Sequence, residues 1–207
     1  ELPFFNVRFN SGRRVALAQA VWVASGEEGL ARVASPTEKG RIVTLLWSGQ
    51  GEAVRWGSLL AANARTKRLT LAELFIDVLP KLAELKRLVG PDWSAEPIEP
   101  EVGAAELAQR LRAEAAASFV REAAAMGTVW MLQGTEGPAC VMSRRSIGKQ
   151  VLPCWFDRSH AEARIAGPWV DMVPAKVPIA AFRDKTLLWL RETGRLAAPG
   201  YCEGDGV

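Results

Sequence analysis

The sequence predicts an α+β fold built twice: two tandem copies of a small antiparallel sheet with helices packed on it. Three observations predict it. QAVWVASGEEGL at residues 19–30 returns as GTVWMLQGTEGP at 127–138, 108 positions on. In each copy strand-like alternation gives way to helical spacing further along. The elements follow one another in the order β-β-β-α-β-α, which favours α+β over a parallel α/β layout.

The echo does not die out within a few residues, as a chance match would. Without any gap it runs through Val21/Val129, Trp22/Trp130, Gly26/Gly134, Gly29/Gly137, Val43/Val151, Trp47/Trp155, Leu82/Leu190 and Leu88/Leu196 to Pro91/Pro199. Internal repeats decide the architecture before anything else. The 207 residues therefore divide into copies of about a hundred residues, each large enough to bury its own core. The expected boundaries are 1–91 for the first repeat, 92–103 for an acidic, proline-rich linker, and 104–207 for the second repeat with a long helix at its start.

In the first copy FFNVRF at residues 4–9 is strand-like, and 13–20 reads as a short helix. The VW segment and its Gly-Glu-Glu-Gly turn form a hairpin. Leu71, Leu74, Phe75, Val78, Leu82 and Leu85 make a broad apolar helical stripe, which Pro80 is expected to kink. Residues 92–103, DWSAEPIEPEVG, carry the punctuation of a linker. Ala104–Met126 is almost all Ala, Glu, Arg and Leu, a strong helix former.

The second copy opens with a strand at 128–132, a Gly-containing turn at 133–137 and a partner strand at 139–143. The apolar run 150–156 contains Pro153, which predicts an edge strand or a bulge because proline cannot donate to a ladder. Residues 157–166 read as a short helix with Ser159 as its N-cap, and 169–173 as a fourth strand. Ile179, Phe182, Thr186 and Leu190 then recur at helical spacing, with Pro178 at the first turn and Gly194 past the end.

Composition bounds the function. Hydrophobic content of 49% and charge of 24% are those of an ordinary soluble globular protein. A net charge of +3 is too small to advertise a nucleic-acid binder by itself. Cys140, Cys154 and Cys202 have no repeat partners, which argues against a disulfide framework and for a reducing compartment. No apolar run approaches a bilayer span and no signal peptide is visible, so a cytoplasmic location without membrane insertion is expected.

Few residues stand in patterns that carry chemistry. His160 is the single histidine, near Asp157 and Glu162. It reads either as a structural side chain at a helix start or as a general base with an orienting carboxylate, and the first copy has SGQGEA in its place. Cys-x-x-Cys and His-x-x-x-His spacings are absent, the GTEGP and GEEGL turns are too short and acidic to cradle phosphate, and no nucleophile motif appears. The expectation is a non-enzymatic protein with no catalytic residues, no metal and no cofactor.

Eight tryptophans are many for this length. Trp22/Trp130 and Trp47/Trp155 are duplicated and expected in the core, against the alternative of a ligand cage. Trp56, Trp93, Trp169 and Trp189 are unshared, and are expected first to pack repeat against repeat and second to meet a partner. Two patches are candidates for a partner. One is the connector, Trp93 with Glu96, Glu99 and Glu101, suited to a basic cleft; its bland reading is a solvated linker. The rival is Trp56 with Arg65, Lys67 and Arg68, suited to an acidic partner, or a solvated turn. A nucleic-acid contact would use Arg65, Lys67 and Arg68 with Arg144 and Arg145.

Trp130, Gly134, Gly137, LPCW at 152–155, Ala161, PWVDM at 168–172, Pro178-Ile179, Phe182, Leu190 and Gly194 resemble a bacterial family, domain of unknown function 2750, over residues 128–201. The first repeat follows the pattern weakly: Leu45 replaces the family's proline, and PWVD has no equivalent. The resemblance implies a small α+β module with no catalytic residues to carry over. By analogy it points to domains around secretion systems and to immunity proteins of toxin operons. The leading expectation is thus an immunity or adaptor protein that neutralises a cognate toxin or secreted effector. The alternatives are a nucleic-acid-associated factor and an enzyme centred on His160.

Overall fold

The computed structural model describes residues 9–27, 29–60, 64–94, 99–143 and 146–200. It has mixed helices and sheets in the α+β arrangement, and two compact units that divide at Glu114/Ala115. Among the described residues of unit 1 the first element is α1 (Phe9–Ala18), followed by β1 (Ala20–Gly26), β2 (Gly29–Leu30), β3 (Arg32–Ala34) and β4 (Ile42–Trp47); the strand-like 4–8 of FFNVRF lie outside the described residues. Then come α2 (Gln50–Leu60), β5 (Arg65–Thr70), α3 (Leu71–Glu73), a π-helical turn (Leu74–Val78), α4 (Leu79–Glu84), β6 (Leu88–Pro91) and β7 (Val102–Gly103). Helix α5 (Ala104–Met126) contains the division between the units.

The second copy repeats this order: β8 (Thr128–Gly134), β9 (Gly137–Pro138), β10 (Val141–Met142), β11 (Gln150–Cys154) and α6 (Arg158–Glu162). A 3-10 turn (Gly167–Trp169), β12 (Val173–Pro178), α7 (Ile179–Ala181), a second π-helical turn (Phe182–Thr186), α8 (Leu187–Glu192) and β13 (Leu196–Pro199) complete it.

Every ladder the copies share keeps the same offset. Trp22 pairs with Trp47 as Trp130 bridges Trp155. Val43 lies beside Leu88 in a parallel pair as Val151 lies beside Leu196. Val33 faces Val43 as Val141 faces Val151, and Trp22 faces Arg68 as Trp130 faces Lys176. Even the π-helical turns coincide. The two copies thus have one strand order, β5-β1-β4-β6 and β12-β8-β11-β13, with the short strand pairs β2/β3 and β9/β10 forking between the central strands.

Several elements differ from expectation. The described residues of the expected linker, 92–94 and 99–103, pack onto unit 1. Trp93 is buried in the cluster of Val43, Leu45, Trp47 and Leu88, and Val102 brings β7 alongside β6. Pro153 lies in a central strand. Trp155 exchanges both backbone hydrogen bonds with Trp130, so by alternation Pro153 turns its nitrogen to the same side. There it falls in the fork, past the Gln150–Val151 pairing with β10 and short of the Trp155 bridge, where no ladder bond is lost.

The N-cap of α6 is Asp157, not Ser159: its side chain accepts from the Ser159 N–H at 2.7 Å. The fourth strand begins at Val173 rather than 169, because Gly-Pro-Trp closes a tight turn first. The apolar stripe of unit 1 runs through the buried Leu71, Leu74, Leu79 and Leu82, leaving Phe75 and Val78 half-buried. The π turn supplies the five-residue step from Leu74 to Leu79, whose N–H bonds Leu74 O. The second copy makes the same turn with Leu188 where the first has Pro80, so the turn belongs to the shared architecture and not to the proline.

Trp47 and Trp155 are each about 1% exposed and anchor the two clusters, with Trp22 and Trp130 half-buried against them. The unshared tryptophans find their partners in their own copy. Trp56 and Trp93 join the first cluster, Trp169 the second, and Arg195 stacks over Trp189 at 4.8 Å.

Candidate functional site

The connector residues are turned inward. Trp93 is 5% exposed and Glu99 6%. The Trp93 indole N–H donates to Pro100 O at 2.7 Å, and its own carbonyl accepts from Trp47 Nε1 at 2.9 Å. Gly90 makes room for that ring, since a Cβ there would sit 2.5 Å from Trp93 Nε1. Glu99 accepts from the Ser94 N–H at 2.6 Å. Glu101 Oε2 accepts from the Ser35 and Thr37 hydroxyls at 2.7 Å each. These side chains close the connector onto unit 1, which leaves Trp93 and Glu99 no surface to offer a partner. Glu96 lies outside the described residues.

The rival patch is exposed. Arg65, Lys67 and Arg68 project from β5, and Leu69 is buried. Arg68 stands opposite Trp22, on the sheet face that α2 covers, where Gly57 approaches Ala24 and the Trp47 ring. Arg65 and Lys67 stand on the other face with Leu69, as strand alternation requires. The three cations therefore flank one sheet edge rather than one face. Trp56 on α2 is half-buried against the core, with Arg55 over its ring at 4.6 Å. Among the described residues the carboxylate coupled to this edge is Glu73. It is held below the usual carboxylate range first by the Thr70 N–H and further by the charges of Lys67 and Arg68. Arg144 and Arg145 lie outside the described residues.

Among the described residues β5 pairs with β1 alone. Ala31 N–H donates to Ala24 O at 2.7 Å, so Ala24 turns its backbone polar groups toward β2 and away from β5. Direction alternates along an antiparallel strand. Thr66 and Arg68, which face Ala24 and Trp22, therefore turn their N–H and C=O groups to the outer edge. Thr70 does the same, but its N–H is taken by Glu73 Oε2 at 2.7 Å in a capping box.

The second copy treats the same edge differently. On β12 the outward positions are Pro174, Lys176 and Pro178, opposite Leu132, Trp130 and Thr128. Two of three outward N–H groups are thereby deleted, a common defence of an exposed edge. In the first copy no described strand pairs with that edge, and its outward N–H groups at Thr66 and Arg68 are retained. Sequence reasoning picked out the cations but not the edge. The signal was present in the alignment of Thr66 with Pro174 and Thr70 with Pro178.

The reactive side chains are built into the second copy's framework. His160 is half-buried, its ring meeting Phe156 edge-on with centroids 5.5 Å apart. Burial pushes its pKa down, Asp157 opposes that, and Arg164 adds to it. Asp157 itself caps α6 through Ser159. Burial drives the Cys154 thiol up to about 12, and raises that of Cys140 too. Among the described residues no group of three or more His, Cys, Asp or Glu side chains has the geometry of a metal site. Nor is any described helix long and apolar enough to cross a membrane.

The family model described as protein of unknown function (DUF2750) matches twice, over residues 10–111 and 116–206. The chain belongs to this family. The first copy matches along with the second; the first match ends, and the second begins, close to the Glu114/Ala115 division. A comparison with curated proteins gives no match. Among solved structures, the protein-transport protein Tic22 of Anabaena aligns at 10% identity and a TM-score of 0.28, covering 94% of this chain and 93% of that one. Tic22 from Plasmodium falciparum aligns at 11% identity and a TM-score of 0.27, covering 90% and 89%. Likenesses at that level carry no argument about fold or role.

Proposed function

We propose that this protein is a non-enzymatic binding module that takes up an extended, acidic segment of a partner protein along the outer edge of β5. One observation carries the reading: the duplicated edge is sealed by Pro174 and Pro178 in one copy, while in the other it keeps its N–H groups, is paired by no further strand among the described residues and is flanked by Arg65, Lys67 and Arg68. An added strand would bond to the outward groups of Thr66 and Arg68, which gives affinity, while the basic side chains select acidic neighbours. In its finer form the reading is an immunity or adaptor protein that occludes a cognate toxin or secreted effector. The burial of Trp93 and Glu99 favours an acidic partner over the basic cleft that the connector would have suited.

The second copy supplies the test. Thr66→Pro copies Pro174 at an outward position, so it removes no bond of the β1–β5 ladder. The variant is expected to keep its thermal midpoint and to lose the partner captured by the unaltered protein from its native host. Charge reversal at Arg65, Lys67 and Arg68 should weaken the same interaction. Undiminished capture by both variants would refute the edge. A ligand that proves to be nucleic acid, with log affinity falling linearly in log salt, would replace the protein-binding reading.

A further inference from the structure

A second feature of unit 1 is independent of the β5 edge. A cleft of about 790 Å³ opens between the start of β4, the end of α4 and the start of α5, lined by Arg41, Ile42, Leu85, Lys86, Arg87 and Ala104 among others. The cleft is open to solvent, and its volume falls within the range of small-molecule sites, about 300–1,000 Å³. Its chemistry is amphipathic. Ile42 and Leu85 are 38% and 50% exposed, while three cations stand beside them. Arg41 is engaged, bonding Glu38 at 2.7 Å and the Lys86 carbonyl at 2.6 Å. Among the described residues no carboxylate pairs with Lys86 or with the half-buried Arg87.

Arg195, the counterpart of Arg87, is fully committed: it bonds Gln150 at 2.7 Å and stacks over Trp189 at 4.8 Å. In unit 1 those two partners are replaced by Ile42 and Lys81, neither of which can hold a guanidinium. The counterpart of Lys86 is Gly194, and both adopt left-handed backbone, at φ 52° and 66°. Among its described residues unit 1 has three non-glycine residues in that region: Gln19, Lys86 and Asp92. Gln19 and Asp92 use their side chains locally, on Ala16 O at 2.8 Å and the Ser48 N–H at 2.6 Å. Lys86 makes no such bond. The left-handed backbone of Lys86 is the helix-ending conformation it shares with Gly194, so Lys86 brings a cationic side chain to the cleft lining where the other copy has none.

We propose that this cleft binds a small organic anion, a single phosphate or carboxylate head on an apolar body, with Arg87 and Lys86 on the head and Ile42 and Leu85 against the body. The test titrates the full chain with hexyl phosphate, hexanoate and inorganic phosphate, followed by NMR shifts and calorimetry. Saturable binding of hexyl phosphate or hexanoate is expected, tighter than that of inorganic phosphate. Whichever of the two binds identifies the head group. Arg87→Gln should weaken it about tenfold, the usual scale for one lost hydrogen bond to a charged group. Lys86→Gly should weaken it too in a protein that stays folded. Shifts that follow ionic strength alike for all three probes would overturn the proposal. So would unchanged binding in a folded Arg87→Gln protein, or inorganic phosphate binding as tightly as hexyl phosphate.

Discussion

Lys86→Gly is expected to stabilise the protein although it deletes a charged side chain. Lys86 ends α4 in a left-handed cap: its N–H bonds Ala83 O at 3.0 Å and the Arg87 N–H bonds Leu82 O at 2.9 Å. Gly194 ends α8 with the same two bonds, to Arg191 O at 3.2 Å and from Arg195 to Leu190 O at 2.8 Å. This pattern favours glycine because a Cβ in the left-handed region crowds its carbonyl, at a cost of roughly 1–2 kcal/mol. Glycine's greater freedom in the unfolded chain returns roughly 0.5–1 kcal/mol of that. The net gain is therefore about 0.5–1 kcal/mol. With an m-value of about 1–3 kcal/mol/M, a urea titration should show the midpoint rising by a few tenths molar at unchanged slope. Gly194→Ala is the reciprocal experiment. Its Cβ would meet only Lys149 Nζ, at an unstrained 3.5 Å, so the backbone cost should appear alone, equal in size and opposite in sign. Midpoints that move in the same direction for both variants would refute the reasoning.

Gly90→Ala should destabilise unit 1 by about 1–3 kcal/mol, as overpacking does, because the new methyl meets the Trp93 ring; a neutral denaturant midpoint would mean that Trp93 moves freely. Trp155→Ala should cost on the order of 3–5 kcal/mol, like other large core truncations, and His160→Ala much less; similar losses would make His160 a core residue. The depressed pKa of His160 means that the unfolded chain takes up its proton first as pH falls below 6.5. Its contribution to stability is thus present above that pH and lost below it, and an NMR titration should place the folded midpoint under 6.5. Cys154, with its thiol near 12, should resist alkylation at pH 8 in the native protein and react on unfolding, as peptide mapping would show. Because the unfolded thiol ionises from about 9, that residue's contribution to stability declines as pH rises from there toward 12.

The duplication and the tryptophan pairs were legible in the sequence because a gapless offset preserves every ladder. What was hidden depended on distant contacts. The prolines and acids of residues 92–103 have linker composition, yet Trp93 finds its slot only because Gly90 vacates it and Trp47 reaches its carbonyl. The strand at Val173–Pro178 was obscured by Pro174 and Pro178, which an outer edge tolerates. The α3–α4 stripe lost its phase at a π turn, whose extra residue no simple period anticipates. Of the candidate site, the cations were visible one by one. The open edge they flank required knowing which way the backbone of Thr66 points.

Matching registers also bear on how the chain reaches its native state. Because β12 meets β8 at the positions where β5 meets β1, either strand can align beside either partner during refolding without a slip. Intermediates with exchanged strands are a characteristic hazard of tandem repeats. Side-chain fit must then sort the strands, and the copies differ where it matters: Gly90 admits an indole, while Ala198 at the matching position does not. Divergence between the copies thus acts as a kinetic proofreader, rejecting hybrid sheets that backbone geometry alone would accept.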